Sequence, residues 1–422
     1  MNILHINYTD LIGSRFNGYY MQQALEGTEY DVNMAVWRKE GSNPKVFQIP
    51  PSNKLHRQII NSFMFLGARL GLDRLIGLGG YFMTKYDFFK QADIIHIHII
   101  HNFSNLSILS LPRISKLKPT VWTIHDPWAL TGGCEHSFDC NRWLNGCNPK
   151  CPYPRSKSLF MRYMPFVHWR IKKKVFKNSN LSLIVASEWM ENKISKSPLL
   201  NRFTINRIPF GIDLDLFSPK SKKDCIEKLN IPDNHKVIAF RNSGLKNDKF
   251  KGLSWLLKAL EIYEPLEQTT ILMLENDKGF EILENKYHVI KTGWIDGTNL
   301  AMVLSAADIF LMPSIQESFG MMAVEAMACG TPVIVCADTA LPSVIQAPNG
   351  GISVSQKDEI AIANAIKLLM EDDALREKLS KQARQIAVEN YSFKQYVRKH
   401  IELYEKIIKD NSKPTNSIDQ NK

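Results

Sequence analysis

The segment Ala307–Val335 reads Ala-Asp-Ile-Phe-Leu-Met-Pro-Ser-Ile-Gln-Glu-Ser-Phe-Gly-Met-Met-Ala-Val-Glu-Ala-Met-Ala-Cys-Gly-Thr-Pro-Val-Ile-Val, and it narrows the architecture more than any other part of the chain. Ile309 to Met312 form a short apolar run that Pro313 stops. Gly320 then opens a run of helix formers, Gly330 closes it, and a second apolar run starts at Val333. Two buried strands joined by one helix lie parallel in a sheet, and parallel sheets need helices on both faces, so the segment predicts an α/β fold. Glu317 falls in the loop before the helix and Glu325 about a turn and a half inside it. A helix N-terminus offers free N–H groups and positive dipole to a diphosphate, while carboxylates accept hydrogen bonds from sugar hydroxyls. A sugar nucleotide has both parts.

At 422 residues the chain is long enough for two ordinary domains. No apolar run reaches the length of a membrane span, and Met1-Asn-Ile-Leu-His-Ile-Asn lacks the pattern of a signal peptide, so a cytoplasmic location is expected. The net charge of +11 is unevenly spread. Residues 1 to 210 hold 27 Lys and Arg against 13 Asp and Glu, a surplus of 14, while the remainder holds 26 against 29. Such a basic half points to an anionic membrane surface or a phosphorylated acceptor, and the absence of a nucleic-acid-binding motif argues against DNA or RNA. The expected setting is peripheral, on the inner face of the membrane; the apolar residues between Ile59 and Leu78, in a helix read over Lys54 to Gly80, either dip into that surface or cover the sheet.

In chain order, Met1 to Asn7 reads as a first strand, and a loop containing Gly13 and Gly18 leads into a helix near Tyr19 to Leu25. Asp31 to Val36 is the second strand. Asp93 to His101 reads as a buried strand with His96 and His98 on one face, where satisfied core histidines are the ordinary reading and metal ligation the rarer one. Val121 to Asp126 is another strand, ending in His125-Asp126 where ligands collect in a parallel sheet. Trp128-Ala-Leu-Thr-Gly-Gly follows, and then Cys134, Cys140, Cys147 and Cys151, four of the seven cysteines. In a reducing compartment such clustering suits a structural zinc, although the spacing is not that of paired Cys-x-x-Cys knuckles, and free thiols remain the alternative. Lys172-Lys-Lys174 sits on a helix from Met161 to Asn178, where a basic run is ordinarily a solvated face.

A strand beginning at Lys236 ends in Arg241, and Lys251-Gly252 heads the helix from Leu253 to Leu260, so the two cations can converge on one anion. Thr270 to Leu274 and His288 to Lys291 are further strands, and Thr292-Gly-Trp294 follows the second. Gln356 to Met370 and Asp373 to Val388 read as amphipathic helices, and Tyr391-Ser-Phe393 starts a last helix that runs to about Lys409.

The string Glu317-Ser-Phe-Gly-Met-Met-Ala-Val-Glu325, flanked by Pro313-Ser314 and by Ala326-Met-Ala-Cys-Gly-Thr-Pro-Val-Ile, resembles the signature of the retaining glycosyltransferases of family 4, in particular those of bacterial polysaccharide biosynthesis. The resemblance implies a GT-B fold, in which two doubly wound, Rossmann-like domains with parallel sheets face a cleft and a C-terminal helix crosses back to the first. The boundaries expected are 1–215 for the acceptor side, with a Cys-rich insertion at 126–155, 216–390 for the nucleotide-sugar side, 391–409 for the crossing helix and 410–422 for a disordered tail.

It further implies transfer of a hexose-type sugar from a nucleoside-diphosphate sugar to a polysaccharide or lipid-linked (polyprenyl) glycan acceptor. Glu317 and His125 would serve the donor sugar and the chemistry. Arg241 and Lys251 would neutralise the diphosphate, Glu325 would hold the ribose, and Gly13, Thr292, Phe319, Gly320 and Met321 would complete the donor site. His98, Asp126 and Trp128 would line the acceptor side. No metal is required for catalysis in this scheme, since cationic side chains and helix dipoles carry the leaving-group charge. A nucleotide-sugar 2-epimerase and a non-catalytic sugar-nucleotide or glycan-binding protein are the two rivals.

Overall fold

The structure is a computed structural model and describes residues 1–49, 79–101, 106–148, 151, 159–244, 248–275 and 278–412, with scattered positions between 58 and 77. Two compact units emerge. The first comprises Met1–Ala186, Met190–Ile208 and the chain from Val397 onward; the second comprises Ser187–Trp189 and Pro209–Tyr396.

The first unit is built on a seven-stranded sheet. Its strands are β1 (Asn2–Thr9), β2 (Asp31–Arg38), β3 (Val46–Gln48), β4 (Ile94–Ile97), β5 (Thr120–Thr123), β6 (Ser182–Val185) and β7 (Thr204–Arg207). Their order is β3-β2-β1-β4-β5-β6-β7, with every pairing parallel. The second unit has six strands: β8 (Lys236–Asn242), β9 (Thr269–Glu275), β10 (His288–Gly293), β11 (Ile309–Met312), β12 (Val333–Cys336) and β13 (Gly351–Val354). They run in the order β10-β9-β8-β11-β12-β13, again all parallel. The strands are apolar on both faces because helices cover both, and in the second unit Ile238, Phe240, Ile271, Ile309 and Ile334 pack against Leu256, Ile366 and Leu369 of the covering helices.

Each sheet reverses its winding between its first strand and the fourth, and at such a switch point the loops beyond the carboxyl ends diverge and leave room for a ligand. In the first unit these loops follow β1 and β4; in the second they follow β8 and β11. The residues singled out from the sequence fall largely at these ends.

Some boundaries differ from the sequence reading. β4 stops at Ile97 because the chain turns away from the sheet there, the N–H of Ile99 donating to Asn7 Oδ1 at 3.1 Å. The helix expected from Gln356 begins at Glu359, where Asp358 caps it by accepting from Ala361 N at 2.8 Å. β3 and β13, of three and four residues, are too short to show a period in the sequence. The last helix runs from Phe393 to Ser412, so Asp410–Ser412 is helical and not tail. Residues 413–422, and much of the Lys54–Gly80 helix read from sequence, including Ile59, Phe63, Met64 and Leu70, lie outside the described residues.

Candidate active site

In the second unit the loop after β11 carries Glu317, and the Met321–Ala328 helix follows it. Gly320 caps that helix with φ +94°, and a Cβ there would lie 2.3 Å from Leu341 Cδ2. Glu317 Oε2 accepts from Lys251 Nζ at 3.0 Å, in a partly exposed pair. Lys251 is delivered by a tight approach of two backbones. Gly252 has φ +67° and a Cβ on it would stand 2.3 Å from Pro313 O, while the N–H groups of Ile315 and Gln316 donate to Phe250 O at 2.8 and 3.1 Å. Only glycine fits at 252, so the lysine loop and the glutamate loop are fixed to one another.

Arg241, near the end of β8, pairs through Nε with Glu275, lays its guanidinium 4.9 Å over the Trp294 ring and reaches Met322 Sδ at 3.7 Å. Met322 belongs to the first turn of the Met321–Ala328 helix, so Arg241 and Lys251 both stand at the start of that helix, where its dipole adds to their positive charge. Met321, the first helical residue, is half-buried. Glu325 is wholly buried. Phe319 turns inward, its ring 5.1 Å from Phe210 and 5.7 Å from Tyr391, and so supports the loop from below. Thr292 bonds to Gly293 O at 3.0 Å at the end of β10, beside a Trp294 that is 67% exposed. Glu275 had no role in the sequence reading, and only its place at the end of β9 could have marked it; Trp294 closes the Thr292-Gly-Trp294 stretch, where the resemblance puts the contact to the donor base.

In the first unit His98, His125, Asp126 and Trp128 line one small pocket, together with His101. The sequence reading gave His101 no role. Its Nε2 lies 3.1 Å from Asp126 Oδ2 and its ring stacks on Trp128 at 4.8 Å. Burial opposes ionisation of Asp126, yet the His101 contact and the N–H of Trp128, donating at 2.8 Å, hold its carboxyl below the ordinary carboxylate range.

Behind His125 runs a chain of buried rings. His5 Nδ1 is 2.9 Å from His98 Nε2, and His98 Nδ1 is 3.2 Å from His125 Nε2. His96 binds Tyr404 OH at 2.5 Å and Thr123 Oγ1 at 2.7 Å. Burial lowers His5 to about 3 and His125 to about 4, and drives His96 and His98 well below the usual imidazole range. The rings are therefore neutral, each giving one N–H and one lone pair, and the tautomer of His98 dictates that of its neighbours. His5, His96 and His98 place ligand atoms within 4.8 Å of one another; a hydrogen bond joins His5 to His98, while both ring nitrogens of His96 are taken up by Tyr404 and Thr123. Gly13, φ +74°, turns the loop after β1 so that Phe16 reaches His125, ring to ring at 5.4 Å.

Lys172 departs from the sequence reading. It is fully buried, donates to Trp128 O and to Thr131 O, and lies 3.5 Å over the Trp128 ring. The helix at Leu159–Lys177 turns it inward under the loop, and only Lys173 and Lys174 of the run face solvent. Cys134, Cys140, Cys147 and Cys151 line a separate small pocket.

The chain superposes on Anabaena HepE in complex with UDP and glucose, with a TM-score of 0.64, 15% identity and coverage of 96% of this chain and 100% of that one. The fold is GT-B. Within this GT-B chain, residues 221–386 match the family model described as glycosyl transferases group 1. The chain is 32% identical over 197 residues to the D-inositol 3-phosphate glycosyltransferase of Xylanimonas cellulosilytica, covering 43% of this chain and 46% of that one. It is 26% identical over 313 residues to the MMP alpha-(1->4)-mannosyltransferase of Mycolicibacterium hassiacum, covering 71% and 68%. The chain spans about half the length of the first curated relatives it matches, 51% and 46%. Among the described residues no helix is long and apolar enough to cross a membrane.

Proposed function

We propose that this protein is a retaining glycosyltransferase of family 4 that moves a hexose-type sugar from a nucleoside-diphosphate sugar to a polysaccharide or lipid-linked glycan acceptor. The observation that carries the reading is the start of the Met321–Ala328 helix, where Lys251, Arg241 and the helix N–H groups offer positive charge beside the Glu317 carboxylate. The cations take the diphosphate and stabilise it as it leaves, Glu317 orients the sugar, and Glu325 serves the ribose. In this reading the second unit binds the donor and the first the acceptor, with His125 serving the chemistry and His98, Asp126 and Trp128 the acceptor. A mannosyltransferase among the relatives and a UDP complex among the fold neighbours support a nucleotide-sugar donor. The basic first half favours an acceptor held at an anionic membrane face.

A thermal-shift screen of nucleoside diphosphates and their sugars, followed by NMR of the transferred sugar, tests the reading. Stabilisation by one nucleotide and a product with the donor's anomeric configuration are expected. Inversion at the anomeric carbon would remove the retaining assignment, and release of an epimerised sugar nucleotide without acceptor would make the chain an epimerase.

A further inference from the structure

The run from Asp126 to Asn148 contains little regular structure, the short 3-10 turns at Pro127–Ala129 and Arg142–Asn145 being its helical elements. A segment of this length with so few backbone hydrogen bonds needs another source of order. One edge is fastened to the Leu159–Lys177 helix: Trp169 Nε1 donates to Trp143 O at 2.9 Å, Lys172 binds two carbonyls, and Gly132 packs so close that a Cβ would be 2.2 Å from Pro165 O. The other edge holds the cysteines.

Cys134, Cys140, Cys147 and Cys151 all line one pocket, and none is in a disulfide. Cys134 and Cys151 line this same pocket, so the chain closes back on itself there. Cys147 takes a left-handed backbone, φ +48°, uncommon for a residue with a side chain, and its sulfur accepts the Gly132 N–H at 3.1 Å. Backbone donors to sulfur are what thiolate ligands use to disperse their charge. Two lysines bind residues of the pocket wall, Lys172 donating to Thr131 O at 3.0 Å and Lys193 to Ser137 Oγ at 3.2 Å.

We infer that Cys134, Cys140, Cys147 and Cys151 form a structural site for one zinc ion, which clamps the segment from Trp128 to Cys151 against the Leu159–Lys177 helix. Zinc binds four thiolates tetrahedrally, and each Zn–S bond forms as one thiol gives its proton to solvent, so four protons leave and the site carries two negative charges. Arg142 of the pocket lining, together with Lys172 and Lys193 bound to the lining residues Thr131 and Ser137, offsets that charge. All four zinc positions are filled by sulfur, which gives the ion no open coordination place and sets its role as structural. The site is independent of the donor site and stands whether or not the glycosyltransferase reading holds.

The test is elemental analysis of the full chain, purified under reducing conditions without a metal-affinity tag. About one zinc per chain is expected. Cobalt(II) added to chelator-treated protein should give the intense visible bands of a tetrahedral thiolate complex, and four thiols should become reactive when the metal is removed. Cys147→Ser should lose the metal and Cys151→His should keep it, since imidazole is also a zinc ligand. Folded wild-type protein with far less than one zinc and no cobalt–thiolate bands would overturn the inference. So would two disulfides among the four cysteines in that preparation. The wild-type measurements decide even where a serine variant fails to fold.

Discussion

Lys251 Nζ and Glu317 Oε2 are 3.0 Å apart, so the cation proposed for the donor phosphate is held by the carboxylate proposed for the donor sugar. Under the proposed function, a diphosphate entering this site would take over the lysine and free the glutamate for a hydroxyl. Removing the lysine costs a charge-assisted contact of about 1.5–3 kcal/mol, so Lys251→Ala should weaken nucleoside-diphosphate binding by roughly 10- to 150-fold. Glu317→Gln frees the lysine and should bind the diphosphate as well as or better than the wild type, while transferring sugar far more slowly. Calorimetry and initial rates separate the two. Equal affinity for the wild type and Lys251→Ala would remove Lys251 from the donor site.

The buried histidines make stability depend on pH. His5 at about 3 and His125 at about 4 lie below their unfolded value of 6.5, so the unfolded chain takes up protons that the folded chain refuses. Stability from these groups is complete above about pH 6.5 and falls as the pH drops toward their folded values, at about 1.4 kcal/mol for each unit of difference. Melting temperature should decline steadily from about pH 7 to pH 5, and His5→Gln should flatten the slope. A slope unchanged by that substitution would mean that other groups set it.

Gly252→Ala forces a Cβ toward Pro313 O, a backbone atom that has little room to yield, in a left-handed conformation. The strain is about 1–3 kcal/mol. A melting temperature lower by roughly 5 °C is expected for the second unit, with donor affinity reduced because Lys251 shifts with the backbone. Full stability with full affinity would show that the two loops part more easily than their hydrogen bonds suggest.

Lysines that are neighbours in sequence should behave oppositely. Lys173→Glu with Lys174→Glu changes exposed charge and should weaken sedimentation with anionic vesicles while leaving the melting temperature nearly unchanged. Lys172→Met abolishes the bonds to Trp128 O and Thr131 O and should lower the melting temperature without a specific effect on vesicles. Binding to neutral and anionic vesicles alike, or to neither, would reject electrostatic docking.

The sequence disclosed the fold through Ile309–Met312, Gly320 and Gly330, because a strand, a helix and a strand with glycine punctuation admit one kind of sheet. Glu317 is a candidate through the motif's resemblance, and Lys251 and His125 through the resemblance together with their places at the head of a helix and the end of a strand. The pairing of Lys251 with Glu317 was not legible, since it depends on Gly252 meeting Pro313 across more than sixty residues of chain. His101 escaped notice because its partner, Asp126, comes from the next strand's loop. Lys172 was misread for a related reason: sequence shows three adjacent lysines, and only the helix orientation reveals that one points into a loop of bare carbonyls.

The last helix begins in the second unit and from Val397 onward belongs to the first. Tyr404 on it hydrogen-bonds His96 across 308 positions, and His400 and Tyr404 are fully buried. During synthesis, therefore, the first unit emerges long before the piece that completes its core. Until then His96 lacks its tyrosine and the sheet face beside it stays wet, so the unit made first reaches its final state last, after the intervening unit has been made. A chain interrupted short of this helix would leave both units made and the first without His400 and Tyr404 in its core.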